Sequence, residues 1–168
     1  MSLVNRVVGA AAVLALAAGG TAVVARPASA SRAPACFAPH LRLVRAGTEG
    51  ATSHRYVKFR ITNTGGRACR LYGYPAFRYR DGAGHRVGVR SARAGVPAHV
   101  VTLAPGEHTR VTLMYIVPAV TLHRQCRASR VASVDVRLAF RPHVYRLPLR
   151  ARVCTTKQYR PVSYPAGF

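Results

Sequence analysis

Arginine and cysteine, rather than carboxylate, carry the chemistry open to this chain. Its 168 residues hold 26 Lys plus Arg against 4 Asp plus Glu. The acids are Glu49, Asp81, Glu107 and Asp135. A paired-carboxylate hydrolase needs two carboxyls converging in one cleft, and nothing in their spacing suggests it. Asp81 and Glu107 fall in turn-forming stretches, where a carboxylate ordinarily accepts backbone N–H bonds. Asp135 lies two residues from Arg137 on a strand-like pattern and reads as half of a surface ion pair. Seven histidines are scattered singly, at positions 40, 54, 85, 99, 108, 123 and 143, and neither H-E-x-x-H nor G-x-S-x-G occurs. The expectation is a protein that is not an enzyme and holds no cofactor and no metal. The alternative is a small secreted hydrolase whose site is assembled by loops.

Four cysteines remain as reactive groups: Cys36, Cys69, Cys126 and Cys154. No C-x-x-C is present, and the one close Cys/His pair is His123 with Cys126, so zinc has little to bind. An even count in an oxidising compartment predicts two disulfides. Four cysteines allow three pairings. Cys36–Cys69 with Cys126–Cys154 is preferred, because each bond then ties neighbouring strands. Each would close a loop of about 30 residues, worth roughly 3–4 kcal/mol in the chain-entropy account.

The arginines form the sharper pattern. Arg146, Arg150 and Arg152 are predicted to share one face of the last long strand, as are Arg86 with Arg90 and Arg78 with Arg80. Neighbouring like charges on a sheet each cost a fraction of a kcal/mol. A partner with many negative groups relieves that cost, so these seven arginines are the candidate anion-binding set. The expected partners are anionic cell-wall polymers or lipid headgroups. No specific nucleic acid is expected, since no recognised nucleic-acid motif occurs. A cationic nucleic-acid-binding or membrane-binding protein is a further alternative, and a merely solvated basic surface is the plain one. The sequence sets no oligomeric state.

Residues 1–30 place these groups. Arg6 opens a short positive region, Val7 to Val24 carries no charge, and Pro27-Ala28-Ser29-Ala30 ends in an A-x-A cleavage pattern. This predicts a cleaved Sec-type signal peptide and a secreted or cell-envelope protein. Membrane attachment follows only if the leader is kept as an anchor. Arg6 and Arg26 lie in the leader, so the remaining 24 basic residues against 4 acids leave +20. A charge of that size repels itself and attracts polyanions.

Residues 31–168 are the right length for one domain. Short alternating runs fill it, with no long helical period. Val57, Phe59 and Ile61 alternate with Tyr56, Lys58, Arg60 and Thr62; Asn63-Thr64-Gly65-Gly66 then turns the chain. Further apolar faces are Leu41 with Leu43, Val111 to Val117, Val134 to Phe140, and Leu147 to Val153. Tyr72-Gly73-Tyr74-Pro75 breaks an extended stretch, with a cis bond before Pro75 as one way to bend it. Clean alternation means one wet and one buried face. The predicted fold is all-β, an immunoglobulin-like antiparallel sandwich of about 7–8 strands with two disulfides. Its core spans about 36–155, and the Pro-rich stretch 155–168 reads as a terminal strand or tail.

From Ile61 to Pro75 the chain resembles the secreted domain of unknown function 4232, a family of high-GC Gram-positive bacteria. Thr62-Asn63-Thr64-Gly65 and Cys69-x-Leu71-x-Gly73-Tyr74-Pro75 match its core pattern. Cys36, the turns Asp81 to Gly84 and Leu103 to Gly106, and Cys154 match its other marks. The resemblance covers about 36–165. It implies a leader, an extracytoplasmic sandwich and disulfides, and it implies no reaction. The excess of arginine goes beyond the family pattern.

Overall fold

The computed structural model describes residues 33–50, 52–118, 125–139 and 142–167. The leader, His123 and Phe140 lie outside the described residues. Eleven strands run through the described residues, with no α-helix among them. They are β1 (Leu41–Glu49), β2 (His54–Asn63), β3 (Cys69–Leu71), β4 (Ala76–Arg80), β5 (Arg86–Val87), β6 (Ala92–Arg93), β7 (Val101–Leu103), β8 (His108–Ile116), β9 (Ala128–Arg137), β10 (Val144–Cys154) and β11 (Val162–Tyr164).

Five strands form one sheet in the order β1-β2-β8-β11-β6, and four form another in the order β10-β9-β4-β5. β3 and β7 make a separate ribbon. All pairs are antiparallel except β11 with β6. The alternating residues do what period two dictates. Val57, Phe59 and Ile61 of β2 and Val111, Leu113 and Tyr115 of β8 turn inward from the first sheet. They share one core with Phe77 and Tyr79 of β4, Val134 and Val136 of β9, and Leu149 and Val153 of β10. Phe59 and Phe77 stack across the layers with ring centroids 5.6 Å apart. The arrangement is the expected sandwich. The count exceeds seven or eight because β3, β5, β6, β7 and β11 span two or three residues each, too few to show an alternation.

Cys69 to Arg80, one broken stretch in the sequence, is two strands in two different sheets. Tyr72-Gly73-Tyr74-Pro75 carries the chain from one to the other. The bend needs no cis bond: every described peptide bond, that before Pro75 included, is trans. Gly73 makes the bend instead, with φ at +83°. A Cβ there would lie 2.9 Å from the Ala139 Cβ, so the position is closed to side chains twice over. The stretch 155–168 supplies β11, which pairs with β8 and β6 inside the five-stranded sheet.

Both preferred disulfides are formed, Cys36–Cys69 and Cys126–Cys154. The first sews the incoming chain to β3, where Cys36 N donates to the Arg70 carbonyl and Arg70 N donates to the Pro34 carbonyl. The second joins the chain entering β9 to the end of β10.

Asn63 shows why the T-N-T-G stretch reads as it does. The residue is 1% exposed. Its side-chain amide donates to the Arg67 and Leu103 carbonyls at 2.8 and 3.0 Å, and its Oδ1 accepts from Gly65 N at 3.0 Å. Its backbone accepts from Gly106 and donates to the Glu107 carbonyl. One side chain thus locks its own turn to the Pro105-Gly106 turn forty residues on. Truncating it leaves buried carbonyls and an N–H unpaired. Asn63→Ala is therefore expected to cost about 2–3 kcal/mol in urea unfolding; a cost near zero would show that water replaces the amide.

Tyr79 presents the opposite case. It is 1% exposed, and among the described residues its Oη finds no hydrogen-bond partner. Burial, with Tyr115 adding to it, raises its pKa well above 10.0. The hydroxyl is neutral and unsatisfied, so deleting it removes a desolvation cost without losing a bond. Tyr79→Phe is expected to leave stability unchanged or raise it by up to about 1–2 kcal/mol; a lower melting temperature would reveal a hidden partner.

Candidate functional site

The outward face of the four-stranded sheet is built in rows. Register sets Arg146 of β10 beside Asp135 of β9, and Asp135 beside Arg78 of β4. The next row sets Arg80 of β4 directly beside Arg86 of β5. Because side chains on one face repeat every two residues, Arg78 and Arg80 emerge together, flanked by Arg137 two residues beyond Asp135. Arg90 has no strand of its own. Ser91 positions it, exchanging bonds with Phe77: its N–H donates to the Phe77 carbonyl, and its Oγ accepts from Phe77 N at 3.0 Å. These residues enclose a cavity of about 440 Å³, lined by Arg78, Arg80, Arg86, Arg90, Arg137 and Arg146 around Asp135.

Asp135 is the single acid of this cavity. Its carboxylate accepts from Arg80 Nε at 2.6 Å and from Arg146 Nε at 2.9 Å, one guanidinium on each oxygen. Arg80 is held a second time, donating to the Gly84 carbonyl at 2.6 Å. Burial pushes the Asp135 pKa up, but hydrogen bonds and charge from Arg146 and Arg80 outweigh it and hold the carboxyl below its usual value. Arg78, Arg86, Arg90 and Arg137 have no hydrogen bond or ion pair among the described residues. The site is a cluster of six guanidiniums in which two share the single negative charge of one acid and four have no acidic partner. Such forks suit phosphate and carboxylate oxygens.

Five of the seven arginines of the candidate set meet here: Arg78, Arg80, Arg86, Arg90 and Arg146. Arg150 and Arg152 do not line this cavity. Arg150 lies within a register shift in β10 between Pro148 and Ala151, and Arg152, beyond it, stands opposite Arg130. Asp135 is not paired with Arg137 along its own strand, as the sequence suggests. It pairs across strands instead, with Arg146 directly opposite on β10 and with Arg80 diagonally across on β4, a span that a long arginine side chain reaches. Arg137 is thereby released to line the cavity, and its signal was parity with Asp135. Asp81 and Glu107 do bond backbone as expected: Asp81 accepts from Ala83 and His85 N, and Glu107 from Ala104 N. Among the described residues, no three His, Cys, Asp or Glu side chains gather as metal ligands. No helix among them is long and apolar enough to cross a membrane.

The depressed pKa of Asp135 has a direction in stability. The unfolded chain takes up the proton first as pH falls, so the contribution is complete above about pH 4 and is lost below it. Asp135→Asn should remove that acid-side loss and cost about 1–3 kcal/mol at neutral pH. Urea melts at pH 7 and pH 3 read both; an equal pH response in the two proteins would show that the carboxylate is not clamped.

No curated protein and no solved structure matches the chain. The model of one family, described as a domain of unknown function (DUF4232), matches residues 36–160, from the first disulfide cysteine to just before β11. That span includes both disulfides, the Asn63 clamp and every arginine of the cavity, and the chain belongs to this family.

Proposed function

We propose that this protein is an exported, non-enzymatic binding module that holds an anionic polymer of the cell envelope against the arginine-lined face of β10-β9-β4-β5. The observation that carries the reading is the cavity of about 440 Å³ with six arginines and one acid in its wall. Self-repulsion supports it. Arg80 stands directly opposite Arg86, Arg130 opposite Arg152, and Arg60 opposite Arg110, each pair at a small cost to the free protein. Both disulfides are consistent with an oxidising compartment, and residues 1–30 have the pattern of a leader. Lipid headgroups are a second source of the same phosphate chemistry, and vesicles provide the arm that separates them.

The test is a titration with a purified wall-type poly(glycerol phosphate), repeated with anionic vesicles, at rising salt. Exposed charge is screened over about 8–10 Å near physiological ionic strength, so affinity is expected to fall steeply. Arg78→Ala/Arg86→Ala/Arg90→Ala should weaken polymer binding at least about tenfold, with each lost charge-assisted bond contributing about 1 kcal/mol or more. Arg150→Ala/Arg152→Ala should change it far less. Equal losses from the two sets would reduce the effect to net charge, and salt-indifferent binding would overturn the reading.

A further inference from the structure

A second cavity, of about 270 Å³, adjoins the first: Ala76 and Arg90 line both. Its other charged residue is Arg93 of β6. Arg93 is fixed by an aromatic platform, its Cζ lying 5.8 Å from the centre of the Tyr74 ring. That ring is fixed in turn, since Tyr74 Oη donates to the Ala94 carbonyl at 2.8 Å and to the Val96 carbonyl. Backbone bonds from Ala92 N to Pro161 and from Ala94 N to Ser163 anchor the strand to the five-stranded sheet. The charged track therefore crosses from one sheet of the sandwich to the other, with Arg90 at the junction.

Resting on the reading that this face binds polyanion, we infer that the two cavities form one continuous site for a linear chain of phosphate groups, rather than a pocket for one phosphate. Charge balance favours it. Four unpartnered guanidiniums surround the first cavity and Arg93 extends the second, whereas one phosphomonoester carries a charge of only about −1.5 to −2. A single small anion leaves most of the cluster uncompensated and gives Arg93 nothing to do. The track also selects against nucleic acid. Single strands are held by bases stacking on open aromatic faces, and the Tyr74 face in this groove already lies against Arg93. The occupant is a phosphate chain without aromatic groups.

Orthophosphate, tripolyphosphate and long-chain polyphosphate separate these cases at constant ionic strength, with the full disulfide-bonded protein. Affinity per phosphate is expected to rise by about 10²-fold from tripolyphosphate to the long chain, as a second contact becomes intramolecular. Arg93→Gln keeps a long stem beside Tyr74 and removes one charge; Arg150→Gln removes one charge outside both cavities. Arg93→Gln should weaken long-chain binding about tenfold while leaving tripolyphosphate unchanged, and Arg150→Gln should leave both nearly unchanged. Equal effects of the two variants, or affinity that does not rise beyond tripolyphosphate, would overturn the continuous site and leave anion binding at the first cavity standing. Tighter binding of oligothymidylate of matched charge would overturn the choice of occupant. Failure of every anion to bind would remove the underlying proposal as well.

Discussion

One carboxylate makes the outer face of β4, β9 and β10 possible. Without Asp135, Arg80 and Arg146 would face each other across β9 with nothing between them but charge. Buried to 8% exposure, Asp135 can do this because its two oxygens are divided between two guanidiniums on two different strands. The pairing orders Arg80 fully, and Arg80 in turn reaches the turn carbonyl of Gly84 that leads into β5. The same interaction decides what is left over. One acid shared between two arginines offsets a single charge and leaves the four other arginines of its cavity without an acidic partner.

Much of the sandwich was legible because its long strands obey a strict alternation. Phe59 and Ile61, Val111 and Leu113, and Val134 and Val136 are buried where period two puts them. Pairing of the cysteines was legible because each bond spans neighbouring segments. The short strands were not: Arg86–Val87 or Ala92–Arg93 is defined by the partner it lies against, and a two-residue run has no period of its own. Nor could the sequence show that Tyr72 to Pro75 is a passage between sheets, since a break in a strand and a change of sheet look alike in one dimension.

The site was half legible for the same reason. Parity along a strand grouped Arg78 with Arg80 on β4; Arg86 and Arg90 also line the cavity, but β5 ends at Val87 and the bend at Gly88, not strand parity, lies between them. Parity cannot say which strands are neighbours, so the meeting of Arg146 with Arg78 through Asp135 was out of reach. The register shift after Pro148 is equally invisible; Arg150 lies within it, Arg152 beyond it, and neither lines the cavity. Asp135 was assigned to the nearest arginine in sequence when the sheet offered it two better ones. Asn63 was read as a turn residue, which it is, but its larger work is done on Leu103, far along the chain.

The position of β11 carries a consequence for how the molecule is made. Val162–Tyr164 lies between β8 and β6 and is bracketed by the buried prolines Pro161 and Pro165. The other ten strands of the described residues precede it in the chain and so leave the ribosome earlier. Until it arrives, β8 presents a ladder of unsatisfied amides and carbonyls to whatever is nearby, and β6 has no sheet to join. Completion of the larger layer, and with it the anchoring of Arg93, therefore waits on Val162–Tyr164. A nascent or clipped molecule would already own its disulfide cysteines and its arginines, yet it would expose a sticky flank and an unfinished groove.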